Sequence, residues 1–209
     1  MIVGGIPMLF EKDHWEFVAA GVHDFAGDLI IPTPAQIQPG DLLILICSTE
    51  STDFINPMGW TQRINTNNTT SVFISDKIAG SSEPSVTVAG GGANSVGLMI
   101  AYRYINAVPL NVNGTINEVN GTSITTNSLT TTVSDALVLS VWCCNNNPGS
   151  WSVPAGVTTR VSINGDQFGN HTGILVGDEN KESAGATTPR TGTFSEGGAM
   201  ASFAVSYKE

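Results

Sequence analysis

The apolar residues of this chain fall into short runs that are bounded by glycine, proline and asparagine. Residues 42–46 read LLILI, and a continuous apolar run of this length predicts a central strand packed on both faces. Residues 85–88 alternate polar and apolar, which indicates a strand with one face in water. No segment keeps a helical period, because 23 glycines and 10 prolines interrupt every candidate. The pattern therefore predicts an all-β protein, an antiparallel β-sandwich or jelly roll.

The second half of the chain repeats the first in a degraded form. The clearest match is a turn of pattern P-x-G-x-T-x-R-[IV], which reads PMGWTQRI at residues 57–64 and PAGVTTRV at residues 154–161. Because the repeat occurs only twice, it indicates an internal duplication within one sandwich, or two small sandwiches side by side, and not a solenoid. The aligned segments are 41–47 with 135–141, 57–64 with 154–161, Asp76 with Asp178, and 101–104 with 204–207.

The repeat divides the chain into an N-terminal arm, residues 1–21, and a β-sandwich, residues 22–209. The sandwich consists of two halves, residues 22–105 and 134–209. Residues 106–133 are rich in threonine and asparagine and contain two Asn-Gly pairs, which favour the positive φ angles of tight turns. We interpret this segment as the crossover between the halves and not as a disordered linker.

The N-terminal arm lies outside the repeat but carries large apolar side chains that are unfavourable to leave in water. Such a segment predicts either a strand on the sandwich or an arm that lies on a neighbouring subunit. We expect an extended assembly arm, which favours a homo-oligomer. Its candidate contact residues are Ile6, Leu9, Phe10, Trp15 and Phe17.

Charged residues make up 12% of the chain, against about 25% in typical globular proteins. The surface must then consist largely of serine, threonine, asparagine and glycine. The net charge is −10, and the basic residues are scattered singly, so nucleic acid and anionic membranes are unfavourable partners. No apolar run is long enough for a membrane helix, so we expect no membrane insertion. Residues 1–7 lack signal-peptide features, so we expect folding in a reducing cytoplasm.

Residues with the spacing of a catalytic or metal site are sparse in this sequence. The three histidines, His14, His23 and His171, lack the spacing of metal ligands, and no G-x-S-x-G nucleophile motif is present. Arg63 and Arg160 occupy the same position of the repeated turn, so we interpret them as structural residues that bind loop carbonyls or a carboxylate. We therefore predict no enzymatic activity, no catalytic residue, no metal site and no cofactor.

Two further groups of residues leave alternatives open. Cys47, Cys143 and Cys144 lie in or beside apolar strands, which predicts buried free thiols; a vicinal disulfide or a metal thiolate site is the alternative. Asp41 begins a repeated strand and is interpreted as a turn cap. A carboxylate pair for glycoside hydrolysis stays open, because its two members can come from separate strands.

Trp60 and Trp151 lie in or next to equivalent turns of the repeat. One interpretation is packing in the core. The other is that exposed indole rings stack on sugars or anchor a protein interface. Both residues are therefore candidate glycan or interface contacts.

Four short motifs follow one another in the first half: GDLL at residues 40–43, PMGWT at 57–61, AGSSEPS at 79–85 and AYR at 101–103. Together they resemble a module of bacteriophage structural proteins, whose pattern runs GD-L-L, P-x-G-W-T, A-x-x-S-E-P-S and A-Y-R-G. The resemblance covers residues 22–110, and Tyr104 stands where that family has glycine.

The resemblance implies a non-enzymatic β-sandwich protein on the exterior of a virion, made in the host cytoplasm. Its expected role is that of a capsid decoration or cement protein, or of a tail-associated module, with other capsid or tail proteins as partners. The apolar N-terminal arm, together with the trimeric assembly that is common among virion proteins, favours a homotrimer. The alternative is a carbohydrate-binding adhesin, a receptor-binding tail protein whose loops near Trp60 and Trp151 contact host glycans.

Overall fold

The computed structural model describes residues 15–24, 28–50, 52–92, 94–104, 108–145, 149–164 and 172–208. All regular elements within these ranges are β-strands, so the predicted all-β class is confirmed. The first half contains β1 (Glu16–Asp24), β2 (Leu29–Ile31), β3 (Leu42–Thr49), β4 (Thr61–Asn65), β5 (Ser71–Ile78), β6 (Val86–Val88) and β7 (Val96–Arg103). The second half contains β8 (Val108–Asn113), β9 (Asn117–Thr125), β10 (Thr130–Thr131), β11 (Ala136–Asn145), β12 (Trp151–Ser152), β13 (Thr158–Ile163), β14 (Thr172–Lys181), β15 (Gly185–Ala186) and β16 (Thr191–Lys208).

Two large antiparallel sheets dominate the fold. The N-terminal sheet has the strand order β1-β7-β3-β5-β4. The C-terminal sheet has the order β12-β16-β11-β14-β13, and its long strand β16 also pairs with β8 and β9. Two small sheets, β2 with β6 and β10 with β15, are the other sheets formed by the described residues.

The halves have the same strand pairing. Seven strands correspond in chain order and in their neighbours: β1 to β8, β2 to β10, β3 to β11, β4 to β13, β5 to β14, β6 to β15 and β7 to β16. Leu42 lies opposite Tyr102, and Leu137 lies opposite Tyr207, so Tyr207 occupies the place of Tyr102. The sequence alignment of Tyr207 with Tyr104 is therefore out of register. A common origin by duplication and a jelly-roll connection both stay predictions.

The largest hydrophobic core lies between the two large sheets. It takes alternate residues of β3, such as Leu42 and Ile44, and alternate residues of β11, such as Leu137 and Leu139. The intervening residues of β3, including Leu43, pack instead beneath the β2–β6 pair. Each central strand is thus buried on both faces, as the continuous apolar run predicts. Full burial of each such leucine or isoleucine contributes about 1.5–3 kcal/mol to stability.

The N-terminal segment contributes a strand to this architecture. Residues from Glu16 onward form β1, which pairs along its length with β7. Trp15 and Phe17 pack against the core between the sheets, and the ring of Trp15 lies 5.0 Å from that of Tyr104. The predicted boundary after residue 21 therefore cuts through a strand, and Trp15 and Phe17 are contacts within the chain. The other candidate arm residues, Ile6, Leu9 and Phe10, lie outside the described residues.

The predicted crossover forms two strands on the C-terminal sheet. Asn120 and Gly121 lie within β9 and pair with β16, while Gly114 follows the end of β8. Neither glycine has a positive φ angle, so the predicted tight turns at the two Asn-Gly pairs are wrong. The strand pairing with β16 outweighs the local preference of the dipeptide.

The three cysteines are buried free thiols, as predicted. Cys143 and Cys144 lie inside β11, whereas the sequence repeat places them just past its end. Burial raises the pKa of both thiols to about 12, so they remain protonated at neutral pH. They pack as small apolar side chains.

Candidate functional site

Arginine, aspartate and tyrosine form a cluster where the two large sheets meet. Arg160 on β13 donates from Nε to Oδ2 of Asp178 on β14, over 2.8 Å. The hydroxyl of Tyr102, which belongs to the N-terminal sheet, donates to the same carboxylate oxygen over 2.6 Å. The ring centroid of Phe17 lies 4.7 Å from the guanidinium carbon of Arg160, so an aromatic face contacts the charged group. The cluster joins the two sheets through one buried carboxylate.

A second cluster of the same composition lies in the other half. Arg63 on β4 binds Asp76 on β5 with two hydrogen bonds of 2.6 and 2.7 Å. Tyr207 of the C-terminal sheet is fully buried and interacts electrostatically with both residues. Burial, followed by the charge of Asp76, raises the pKa of Tyr207 well above its ordinary value. Each sheet therefore supplies one tyrosine to the ion pair of the other.

The two arginines share a backbone feature that directs their side chains. The register of β4 against β5 shifts between Gln62 and Ile64, and the register of β13 against β14 shifts between Thr159 and Val161. Arg63 and Arg160 are thus the extra residues of two β-bulges, which bend a strand and redirect a side chain. The sequence left two partners open for these arginines, loop carbonyls or a carboxylate, and the structure shows a carboxylate for both.

Asp41, the carboxylate directly before β3, also has structural partners. Oδ2 of Asp41 accepts a hydrogen bond from the backbone N–H of Gln38 over 2.7 Å, which confirms the predicted turn cap. Arg103 binds both oxygens of Asp41, over 2.9 and 2.8 Å. Asp41 therefore fixes the turn before β3 to the end of β7.

The two tryptophans proposed as surface contacts are core residues. Trp60 is 7% exposed and packs in the hydrophobic cluster between the N-terminal sheet and the β2–β6 pair. Trp151 is 8% exposed and lies 4.8 Å, ring to ring, from Phe194. Neither indole presents an open face on which a sugar could stack, because each side chain is buried in a hydrophobic cluster. We therefore do not assign a glycan contact to either residue.

A cleft opens at the end of the sandwich where the loop between β4 and β5 meets β9 and β16. Its volume is about 290 Å³. Three hydrogen bonds hold the loop to the C-terminal sheet: Asn68 Nδ2 to Glu118 Oε1, Thr70 Oγ1 to the Ala199 carbonyl, and Asn145 Nδ2 to the Thr69 carbonyl. The lining residues are Asn68, Thr69, Thr70, Glu118, Val119, Asn120, Ala199 and Met200.

No protein-family model, curated protein or solved structure matches this chain. The residues of the clusters and of the cleft must therefore be interpreted from their own chemistry.

Within the described ranges, no group of histidine, cysteine, aspartate and glutamate has the arrangement of a metal site. Asp178 and its neighbour Glu179 bind Arg160 and Arg190 respectively, which neutralises their charge. His14 and His171 lie outside the described residues. The same part of the chain contains no helix long and apolar enough to cross a membrane.

Sequence reasoning identified the arginines but not the cleft. Its residues come from three separate segments, and each segment alone is an ordinary polar stretch of asparagine and threonine. The local sequence gives one indication of a site, which is the group of polar residues on both sides of Val119. By sequence alone, that segment is interpreted as a crossover between the halves. The pairing of β9 with β16, which brings these segments together, depends on tertiary structure.

Proposed function

We propose that this chain is a non-enzymatic structural protein of a bacteriophage particle, carried on the exterior as a capsid decoration protein or a tail-associated module. The observation that carries the proposal is the role of the residues behind the family resemblance. Gly40 and Gly59 take φ angles of 96° and 84° in two tight turns, which only glycine adopts without strain. Trp60 fills the core, and Asp41 binds Arg103. The shared motifs thus specify a scaffold.

The pairing of the acidic side chains supports a structural role. Asp41, Asp76, Glu83, Asp178 and Glu179 each bind an arginine or a lysine. A glycoside hydrolase needs one carboxyl group that donates a proton and a second that acts as base or nucleophile. The carboxylate oxygens of these residues are instead occupied by guanidinium or ammonium groups of the same chain. These residues serve stability in the proposal.

Exposed apolar residues on the first half supply contacts for assembly. Met58 at the tip of the repeated turn is fully exposed, Ile55 is 64% exposed, and Ile30 on β2 is 56% exposed. Burial of such side chains against a capsid or tail protein, or against other copies in the proposed homotrimer, adds binding free energy. The weakly charged surface suits permanent packing in a larger particle.

Quantitative mass spectrometry of purified virions tests the proposal. A virion protein is expected at a fixed copy number per major capsid protein, and that ratio should persist after density-gradient purification and nuclease treatment. A chain that is abundant in the infected-cell lysate but depleted from purified particles contradicts the proposal.

A further inference from the structure

We propose that the cleft between the 66–70 loop and strands β9 and β16 binds an uncharged sugar ring. The inference is independent of the virion proposal, because it concerns the isolated chain. The proposed sugar site is also separate from Trp60 and Trp151, whose indole rings are buried.

The polar lining matches the hydroxyl groups of a sugar. Asn68 donates from Nδ2 to Oε1 of Glu118 over 2.5 Å, and the second carboxylate oxygen of Glu118 has no hydrogen bond within the described part of the chain. The side chains of Thr69 and Asn120 add a hydroxyl and an amide to the same lining. A carboxylate accepts two hydrogen bonds from neighbouring hydroxyls, and an amide both donates and accepts. This set can bind adjacent hydroxyl groups on one ring.

The apolar part of the lining suits the C–H face of a sugar. Val119 is 42% exposed, while Met200 beside it is almost fully buried. Val119 and the partly exposed Ala199 therefore give a small apolar surface within a polar rim. Specific small-molecule sites commonly combine an apolar surface with a few positioned polar groups.

The charge of the cleft selects against acidic ligands. Its lining contains one glutamate and neither lysine nor arginine. A phosphate, a sulfate or a uronate would meet the Glu118 carboxylate without a cationic partner, which is unfavourable. A hard cation prefers several oxygen ligands with more than one carboxylate, and the cleft offers a single carboxylate. A neutral ring is the ligand that this chemistry favours.

The size and rigidity of the cleft define the ligand further. Its volume of about 290 Å³ lies at the lower end of ligand pockets, which suits a single ring. Asn68, Thr69, Glu118 and Asn120 are exposed, so the cleft is open and admits one ring of a longer polysaccharide. The cross-sheet hydrogen bonds already hold the loop in place, so binding orders few additional groups.

Amide chemical shifts of the purified full chain, titrated with methyl glycosides of glucose, galactose, mannose and N-acetylglucosamine, test the inference. We expect at least one of these neutral sugars to shift residues 68–70, 118–120 and 199–200, with a Kd on the order of 1 mM. Methyl glucuronide should leave the same resonances unchanged. If none of the four sugars shifts the cleft at roughly 50 mM, or if glucuronide binds equally well, the inference is wrong.

Three variants separate binding in the cleft from nonspecific binding. Glu118→Gln keeps the side-chain shape but removes the charge, so the Kd for the best sugar should rise about tenfold. Glu182→Gln makes the same chemical change at an exposed residue directly after β14, which does not line the cleft. The Kd of this variant for the same sugar should stay within about twofold of the parent. Thr69→Val should weaken binding by loss of one hydroxyl. Equal affinity in Glu118→Gln, Thr69→Val and the parent chain contradicts the assignment.

Discussion

Arg63 and Arg160 each occupy a β-bulge at the edge of a large sheet, and each holds a carboxylate that would otherwise be buried without a partner. The side chain of Asp76 is 1% exposed and that of Asp178 is 5% exposed. A buried carboxylate without a cation is strongly unfavourable, whereas the intact pair contributes modestly to stability. Removal of either arginine should therefore lower the free energy of unfolding by more than the loss of a partly exposed arginine usually does.

Replacement of Arg160 by alanine is expected to lower the free energy of unfolding by about 3 kcal/mol, because Asp178 loses its cation. Urea unfolding at pH 7 measures the change. Lys181→Ala, at the end of the same strand β14, is the matched control and should change the free energy by less than about 0.5 kcal/mol. Equal effects of the two substitutions would contradict the role assigned to Arg160.

The buried thiols and phenols make stability sensitive to alkaline pH. Burial raises the pKa of Cys143 and Cys144 to about 12 in the folded chain, whereas an unfolded cysteine titrates near pH 8.5. Above about pH 8.5 the unfolded chain loses these protons while the folded chain retains them, so stability falls. Burial also raises the pKa of Tyr102 and Tyr207 well above the ordinary value, which continues the decline above about pH 10.

Urea unfolding between pH 7 and pH 11, with a reductant present, measures this decline. Each affected group contributes a slope of about 1.4 kcal/mol per pH unit. Cys143→Ala should therefore reduce the slope between pH 9 and 11 by about that amount, whatever its effect at neutral pH. An unchanged slope in this variant would show that the Cys143 thiol does not carry the effect.

At the scale of elements, β8 and β9 show how pairing with a long strand organises a segment without strong local signals. Both pair with β16, and Gly114 lies between them. A Cβ atom at Gly114 would lie 2.2 Å from the Ala204 carbonyl oxygen, which is backbone and cannot move easily. At Gly121 a Cβ atom would meet nothing within 4 Å.

Gly114→Ala is expected to lower the free energy of unfolding by about 1–3 kcal/mol, because the backbone of β16 must shift. Gly121→Ala, in the other Asn-Gly pair, should be neutral or slightly stabilising. Thermal unfolding of the two variants under identical conditions compares them directly. A larger loss for Gly121→Ala would contradict the described packing of β8 and β9.

The sequence predicts the central strands well and the edge strands poorly, for a physical reason. The run at residues 42–46 is apolar on both faces, so it indicates a buried strand without knowledge of its neighbours. β1 and β9 are defined by pairing with β7 and β16, which lie far away in sequence. Local preference therefore suggested an arm and a turn at these positions. The indoles of Trp60 and Trp151 are likewise buried in clusters that include residues distant in sequence.

At the scale of the whole molecule, the exchanged tyrosines join the halves into one structure. Tyr102 binds Asp178 of the opposite sheet, and the core between the sheets takes residues from both. Neither half can bury its inner sheet face alone. We therefore expect one cooperative unfolding transition, in which the calorimetric and van't Hoff enthalpies agree.

Differential scanning calorimetry of the full chain, with tryptophan fluorescence as a second probe, measures this cooperativity. Trp60 lies in the first half and Trp142 in the second. Two variants that each keep only one of these residues, with the other three of the four tryptophans replaced by phenylalanine, should show coinciding fluorescence transitions. Two transitions separated in temperature would show that the halves unfold independently.

Mixing of the purified chain with phage particles that lack it tests the proposed function most directly. Light scattering first gives the native mass, which the proposed homotrimer sets at three times the chain mass of 21.8 kDa. Co-sedimentation then measures the bound amount against the free concentration. The account predicts saturable binding of a stable oligomer with a fixed number of sites per particle. A monomer that never co-sediments with the particles would contradict it.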